Sequence, residues 1–362
     1  MKRRSFVIGA AALALTPVGR TAQAQAVPRI ERVASGFRVP WSLAFLPDSA
    51  VLITERGGRL WRRAPDGERT RISGVPTVAA RGQGGLFDVV VARDFARTRE
   101  VFLSYAKPQD RGQGTALAVA RLDGDRLVNL RVIFEMAPGS TGGRHFGGRI
   151  VEARDGTLFL TIGERGDRPS AQDLSNHNGC IVRIGRDGGV PADNPFVAQD
   201  RARPEIWSYG HRNPQGAALD AQGRLWAVEH GARGGDELNR IRRGANFGWP
   251  VISYGRHYSG AKIGEGTTKP GMEQPAFYWD PSIAPSGLAI YSGARRADWA
   301  GAFFVGSLKF DHVAVLAPDA SRQIVTLQTP ETVRVRDVRE GPDGAIWFLS
   351  EGNGTLCRIV PG

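Results

Sequence analysis

Apolar residues in this chain alternate with polar ones or run in short blocks, and they lack the three-to-four-residue spacing of long amphipathic helices. A turn-forming group followed by an apolar strand recurs as Pro47-Asp48-Ser49-Ala50-Val51-Leu52-Ile53, Asp155-Gly156-Thr157-Leu158-Phe159-Leu160, Ala221-Gln222-Gly223-Arg224-Leu225-Trp226-Ala227 and Asp343-Gly344-Ala345-Ile346-Trp347-Phe348. Within roughly twenty residues each is followed by a second strand carrying a basic position, the arrangement of a repeated hairpin. These partners are Gly58-Arg59-Leu60-Trp61-Arg62, Gly179-Cys180-Ile181-Val182-Arg183-Ile184, Asp236-Glu237-Leu238-Asn239-Arg240-Ile241 and Gly354-Thr355-Leu356-Cys357-Arg358-Ile359. Two weaker copies fill the gaps, Val101-Phe102-Leu103-Ser104-Tyr105 with Thr115-Ala116-Leu117-Ala118-Val119, and Ala302-Phe303-Phe304-Val305 with His312-Val313-Ala314-Val315-Leu316.

Six such units, each roughly forty to seventy residues with Gly-rich turns, predict an all-β fold, a six-bladed β-propeller with four-stranded antiparallel blades. Residues 26–362 are expected to form one such domain, since a ring of this length buries its core without a second unit. In a propeller the innermost strands and the loops at one end converge on the axis. Residues far apart in the chain then line one pocket.

The N-terminus has a different pattern. Lys2, Arg3 and Arg4 precede the apolar run 7–15, and Ala22, Ala24 and Ala26 follow, the order of an export signal over residues 1–25 with cleavage expected near residues 24–27. The apolar run is too short to span a bilayer. Adjacent arginines with Phe6 close behind fit the twin-arginine route, and they also fit an ordinary secretory signal. The expected location is periplasmic or secreted. The chain carries a formal net charge of +12, of which Lys2, Arg3, Arg4 and Arg20 supply four with no acid among residues 1–25, leaving +8 on the remainder. That excess reads either as a solvated basic surface or as a preference for an anionic ligand. Nucleic acid is not expected, because no aromatic-rich basic cluster appears. The two cysteines, Cys180 and Cys357, sit in apolar strands without metal-ligand spacing; a disulfide and simple burial both remain open for them.

The densest chemistry lies in Gly210-His211-Arg212-Asn213-Pro214-Gln215-Gly216 and in Glu229-His230-Gly231-Ala232-Arg233-Gly234-Gly235-Asp236-Glu237. Arg212 is suited to grip an oxyanion through two parallel hydrogen bonds, and Asn213 both donates and accepts; a loop-capping ion pair accounts for the same residues. The second stretch offers hard oxygen ligands and glycines that free the backbone to turn inward, as calcium favours, but without the spacing of a known calcium loop its residues alone read more readily as a solvated acidic turn. His145, framed by glycines in Gly142-Gly143-Arg144-His145-Phe146-Gly147-Gly148-Arg149, reads as a general base or as a structural turn histidine. Arg334 and Arg336 would share one face if their segment is a strand. With Lys309 they would hold a compact polyanion or, on the blander reading, form an exposed basic face. Gln83 in Arg81-Gly82-Gln83-Gly84-Gly85-Leu86 carries the same ambiguity.

Taken together with Pro40-Trp41-Ser42-Leu43-Ala44-Phe45, Gly234-Gly235-Asp236-Glu237-Leu238-Asn239, Asn246-Phe247-Gly248-Trp249-Pro250 and Arg334-Val335-Arg336-Asp337, these motifs resemble the soluble quinoprotein glucose dehydrogenase family, in particular its periplasmic aldose sugar dehydrogenase branch. The resemblance implies a six-bladed propeller that holds pyrroloquinoline quinone (PQQ) and calcium and oxidises the anomeric carbon of aldoses to lactones. It implies His145 as general base and Arg212 as the group that stabilises charge on the reduced quinone. It assigns Gln83, Asn213, Lys309, Arg334 and Arg336 to the cofactor and the carbonyls of Gly231 and Ala232 to its calcium. Relatives often carry proline at position 232, but only the carbonyl is needed. A second, structural calcium would involve Glu237 and the Phe247 carbonyl. The natural electron acceptor is not implied.

Two other functions use the same architecture. A metal-dependent lactonase-type propeller hydrolase would need several carboxylate or amide side chains at the channel centre and would leave Lys309, Arg334 and Arg336 without a purpose. A non-catalytic glycan- or protein-binding propeller would not require His145 and Arg212 in matched motifs.

Overall fold

A computed structural model describes residues 28–360. The export signal expected over residues 1–25 lies outside the described residues. Helix among those described is confined to one turn, Phe95–Thr98, and three short 3-10 segments. The rest is built from six four-stranded sheets.

Blade one comprises Pro40–Phe45, Val51–Glu55, Arg59–Arg63 and Arg69–Ile72, and blade two Leu86–Val91, Glu100–Pro108, Gln113–Asp123 and Arg126–Glu135. Blade three comprises Ile150–Glu152, Leu158–Thr161, Ile181–Ile184 and Ile206–Ser208, and blade four Pro214–Leu219, Leu225–Glu229, Asp236–Arg240 and Phe277–Trp279. Blade five comprises Pro285–Ile290, Phe303–Ser307, Val313–Leu316 and Gln323–Leu327. In blade six, Val335–Glu340, Ile346–Ser350 and Thr355–Val360 are joined by Arg29–Ala34, which pairs antiparallel with Thr355–Val360 as the outermost strand. The six-bladed ring expected from the repeats is therefore present, and each repeat coincides with the second and third strands of a blade. The turn aspartates explain why those repeats were visible. Asp48, Asp155 and Asp343 each accept the amide two residues on, from Ala50, Thr157 and Ala345, which fixes the tight turn into the strand.

The core is divided among the blade interfaces. Leu52 and Leu103 meet between blades one and two, Phe102 and Leu160 between two and three, and Phe159 and Ala227 between three and four. Val228 and Val305 meet between four and five, Phe304 and Phe348 between five and six, and Ile53 and Leu349 between six and one. Each blade thus buries both faces against its neighbours, which is why its two middle strands read as nearly unbroken apolar blocks. Buried hydroxyls stitch adjacent blades: Thr54 Oγ donates to the Phe87 carbonyl at 2.6 Å, Thr161 Oγ to that of Pro214 at 3.0 Å and Ser286 Oγ to that of Val335 at 2.6 Å. Cys180 and Cys357 are free, buried thiols in blades three and six. Burial pushes both thiols up, that of Cys357 to about 11.

At the axis, two arginines and two aspartates from three blades close the channel. Arg149 pairs with Asp88 at 3.1 Å and Asp337 at 3.0 Å, and Arg339 with the same two at 2.9 and 3.2 Å. Asp337 also accepts the Leu43 amide, and Arg149 donates to the Gln215 carbonyl, so blades one and four are tied in as well. Above this plug, the innermost strand of five blades breaks register near its first residues, at Trp41, Phe87-Asp88, Gln215, Ser286-Gly287 and Arg336. A bulge re-aims the side chain at the break. Trp41, Phe87, Gln215 and Arg336 all line one cavity as a result.

Candidate active site

That cavity, about 580 Å3, opens at the loop end of the axis. Its apolar wall is a chain of rings, with Trp41 and Phe87 centroids 5.5 Å apart and Phe87 and Phe146 also 5.5 Å apart. The Arg149 guanidinium lies 4.6 Å from the Trp41 ring centre, joining this wall to the axial plug. Opposite in character are Arg56, Lys309, Arg334 and Arg336, and between them Gln83, Asn213, Gln215, His230 and Glu351. All five residues that the resemblance assigned to cofactor binding, Gln83, Asn213, Lys309, Arg334 and Arg336, line this single space.

The shared strand face expected for Arg334 and Arg336 is not how they come together. The strand begins at Val335, and Arg334 precedes it with φ +50°, in left-handed backbone. What joins the two is Glu351, which takes Arg334 Nη2 at 2.9 Å on one oxygen and Arg336 Nη2 at 2.7 Å on the other. Burial raises the Glu351 carboxyl, but Arg336 and Arg334 outweigh it and hold the group below the ordinary carboxylate range. Arg336 also donates to Gln215 Oε1 at 3.1 Å.

His145 and Arg212 are not themselves among the residues lining the cavity; His145 lies beside it, next to cavity-lining Phe146, with φ +53°, backbone that a non-glycine residue seldom adopts. Three contacts impose it. Gln83 Oε1 accepts the His145 amide at 2.8 Å, Glu164 Oε2 lies 2.7 Å from Nδ1, and Arg165, stacked 3.3 Å from the Phe146 ring centre, donates to the carbonyls of Gly142 and Arg144. Burial pulls the imidazole below its ordinary value, against the Glu164 hydrogen bond that holds it up. Burial also raises Glu164, but its hydrogen bonds from His145 and the Gly166 amide leave it below the ordinary range. An ionised Glu164 fixes the proton on Nδ1 and leaves the Nε2 lone pair available. Glu164 was not among the residues picked out from the sequence. Its glycine frame, Gly163-Glu164-Arg165-Gly166, is the same kind of signal that marked His145.

Arg212 is buried, with Nη1 donating to the His230 carbonyl at 3.1 Å and its guanidinium 5.3 Å from the Trp249 ring centre. Its Nε is buried with no partner, a donor held in reserve. Asn213 Oδ1 accepts the Gly147 amide at 3.2 Å, linking the two signature loops. His230 contributes a neutral ring: burial, then Arg212 and Arg336, pull it down to about 3, and Nε2 lies 2.8 Å from the Pro285 carbonyl.

The expected metal residues divide into two places. Gly231 and Ala232 follow cavity-lining His230, and Asp236 shapes their loop by accepting the Gly231 amide at 2.7 Å and the Ala284 amide at 2.7 Å. A Cβ on Gly231 would lie 2.3 Å from the carbonyls of both Gly234 and Gly235, so backbone oxygens crowd this turn as only glycine permits. Glu237 and Phe247 do not line the cavity. Phe247 stacks on His211 with centroids 4.6 Å apart, and His211 Nδ1 lies 2.9 Å from Glu229. Glu229 and Glu237 share the Asn239 amide at 3.0 Å each, while Asn239 Oδ1 is buried without a partner. Burial and Glu229 push Glu237 up to about 8. A buried carboxyl, Glu229, and a half-buried one, Glu237, beside an orphaned amide oxygen form a set of hard donors suited to a cation. Among the described residues, no group of three or more His, Cys, Asp or Glu is arranged to hold a metal, so a cation here must rest largely on carbonyl oxygens.

A six-bladed ring with a cationic, aromatic-walled pocket and a buried His–Glu pair at its rim defines a propeller enzyme of the sugar dehydrogenase type. The chain belongs to the glucose/sorbosone dehydrogenase family, whose model matches residues 37–358. It is similar to the aldose sugar dehydrogenase YliI of Escherichia coli K12, with 45% identity over 334 residues covering 89% of this chain and 90% of that one. The solved apo-form of the soluble aldose sugar dehydrogenase from Escherichia coli superposes with a TM-score of 0.90 at 41% identity, covering 93% of this chain and all of that one. The PQQ-bound aldose sugar dehydrogenase of Streptomyces coelicolor superposes with a TM-score of 0.76 at 26% identity, over 93% and 98% of the two chains. The family read from the motifs is thereby borne out. No helix among the described residues is long and apolar enough to cross a membrane.

Proposed function

We propose that this protein oxidises aldose sugars at the anomeric carbon to lactones, using PQQ and calcium, in the periplasm or outside the cell. The observation that carries the reading is the convergence of Gln83, Asn213, Lys309, Arg334 and Arg336 on one cavity with the His145–Glu164 pair at its edge. PQQ fits the donor chemistry: Lys309, Arg334 and Arg336 match its carboxylates, Trp41, Phe87 and Phe146 offer faces to a flat ring system, and the unpartnered Arg212 Nε–H waits for an acceptor. Calcium fits the carbonyl-rich turn at Gly231 and Ala232, and Glu237, which shares the Asn239 amide with Glu229, would with the Phe247 carbonyl hold the second ion that the resemblance implies. The family's relatives, one of them solved with PQQ bound, support the same reading.

PQQ, held by Gln83, Asn213, Lys309, Arg334 and Arg336, would supply the acceptor for hydride from the sugar carbon, and calcium would supply a Lewis acid that polarises the quinone. The chain's own residues do the rest. Glu164 holds Nδ1–H, so His145 Nε2 removes the anomeric hydroxyl proton. Arg212, buried and carrying a free N–H, stabilises the negative charge that develops as hydride leaves the sugar. Glu351 keeps Arg334 and Arg336 aimed at the cavity, and the plug of Arg149, Asp88, Asp337 and Arg339 closes the channel beneath.

The test is reconstitution of the purified protein with PQQ and calcium, followed by dye reduction with aldoses. Absence of turnover across mono- and disaccharides would sink the proposal.

A further inference from the structure

The cations that line the cofactor cavity have an assigned purpose, but a second set has none beyond the part already given to Arg212. Arg144, Arg168 and Arg212 gather about the His145–Glu164 pair, and none of them lines that cavity. Arg144 immediately precedes His145, and a Cβ on Gly166 would lie 2.8 Å from Arg144 Nε, so this side chain rests on the loop that carries Glu164. Arg168 belongs to the same loop. Its guanidinium stands 5.7 Å from the Trp249 ring centre, over the ring that Arg212 meets at 5.3 Å, so the two are no further apart than those distances together. Arg212 is fastened to the Glu164 loop as well, its carbonyl accepting the Glu164 amide at 3.0 Å.

No carboxylate is paired with any of the three. Among the described residues none of them has an ion pair, and Glu164 attracts Arg212 without touching it. Arg168 Nη1 donates to His257 Nδ1 at 2.7 Å, but an imidazole supplies no negative charge; Asp167, next in sequence, is exposed and pairs with neither Arg144 nor Arg168. Burial is the chief cause that pulls the Arg212 guanidinium below its ordinary value, and Arg168 adds to it, so the two cations repel without a counter-ion between them. An anion stabilises like charges held this close, and a neutral sugar brings none.

We propose that the preferred substrate is an anionic aldose, a hexuronic acid, whose carboxylate is held by Arg168 while its anomeric hydroxyl meets His145. The inference rests on the sugar-oxidising reading above and names the substrate class of that site. In a pyranose the anomeric carbon and the carbon bearing the carboxylate flank the ring oxygen, so both groups lie along one edge of the ring. That edge matches a base and a cation served by one loop, since Glu164 touches His145 and Arg168 follows four residues later. Nη1 of Arg168 is engaged by His257, which leaves the Nη2–Nε edge for the two oxygens of a carboxylate. A phosphate, with three acceptor oxygens, would call for more donors than that one edge offers. The carboxylate is a handle and takes no part in the oxidation.

The test uses the full chain reconstituted with PQQ and calcium. It compares kcat/KM for glucuronate with glucose and for galacturonate with galactose, pairs that differ only in a carboxylate against a hydroxymethyl group, and adds glucose 6-phosphate. At low ionic strength at least one hexuronate is expected to exceed its hexose about tenfold, through KM, and to lose that lead as salt is raised. Arg168→Gln should cut the hexuronate-to-hexose ratio about tenfold, the scale of one charge-assisted hydrogen bond, and Arg168→Lys, which keeps the charge without the planar fork, by less. Methyl glucuronide has no free anomeric hydroxyl, so calorimetry reads its binding apart from turnover; it should bind the native chain, with or without PQQ, and weaken in Arg168→Gln. Hexuronates no better than hexoses, an unaltered ratio in Arg168→Gln, or a preference for glucose 6-phosphate over glucuronate overturns the inference, while oxidation of the hexoses leaves the reaction standing. If no sugar is oxidised but methyl glucuronide still binds in an Arg168-dependent way, the carboxylate site stands and the proposed reaction falls.

Discussion

Glu164 Oε2 lies 2.7 Å from His145 Nδ1, and the side chains are 1% and 12% exposed, so the pair is almost sealed except at the imidazole's outer edge. The two residues come from successive loops on blade three, before its first strand and after its second. Neither loop can shift without breaking the contact.

His145→Gln should therefore lower kcat by about 10²–10⁴-fold, the usual span for losing a general base, while PQQ still binds. Glu164→Gln should cost less and act through the imidazole. The sign of the pH effect follows from burial. His145 is held below its ordinary value of about 6.5, so the base form persists into mildly acidic solution and activity should fall only at lower pH. Removing the Glu164 carboxylate, which holds the imidazole up, should move that acid limb lower still. A pH profile of kcat/KM for both proteins checks this, and a limb at or above the ordinary histidine value would remove His145 from the role.

Glu351→Gln should lower the melting temperature of the cofactor-free protein, because Arg336 loses its partner while buried and a broken buried pair costs about 3–5 kcal/mol. Adding PQQ should then restore more stability to the variant than to the native protein, since its carboxylates replace the missing charge. Thermal melts with and without PQQ decide it; equal shifts in the two proteins would show that Glu351 does not organise the cations.

The axial plug predicts a different signature. Burial raises Asp337, but Arg149 and Arg339 outweigh it and leave the carboxyl below the ordinary range. A depressed carboxylate contributes stability that is complete above the unfolded-chain value of about 3.9 and is lost as pH falls through the folded value. Resistance to urea should thus fall in acid below about pH 4. Asp337→Asn should cost about 3–5 kcal/mol at neutral pH and flatten that dependence. A variant as stable as the native protein would mean the plug is dispensable.

Chelation with EGTA should lower the melting temperature and calcium should restore it, because an ion that binds only the folded state contributes about 2.7 kcal/mol at a hundredfold excess over its Kd. In Glu237→Gln the shift should shrink, leaving only the contribution of the carbonyl turn at Gly231 and Ala232. A full-sized shift in that variant would detach Glu237 from calcium.

The ring was legible in the chain because the blades' middle strands are buried on both faces and most are entered through an aspartate or glycine turn, both of which leave a local pattern; blade two, whose second strand is entered from the turn of helix at Phe95–Thr98, gave a weaker copy. The innermost strands were harder to read. Trp41, Phe87, Gln215 and Arg336 reach the cavity through breaks in register, and a bulge depends on how one strand lies against its partner. Arg334 and Arg336 were correctly placed together for an inexact reason, since a left-handed residue and a shared glutamate, not strand alternation, unite them. Glu164 escaped notice because its importance lies in what it touches across a fold of the chain. Glu351, in Ser350-Glu351-Gly352, escaped for the same reason.

The pairing of Arg29–Ala34 with Thr355–Val360 has a consequence for how the site comes into being. The first described strand has no mate until the last one exists, so a chain emerging in order holds an unfastened arc until its final segment arrives. The pocket draws Trp41 and Arg56 from one end of that arc and Arg336 and Glu351 from the other. Fastening the ring thus also holds the two ends of the binding pocket together, so the outermost pairing, remote from the cavity, supports the place where a cofactor would sit.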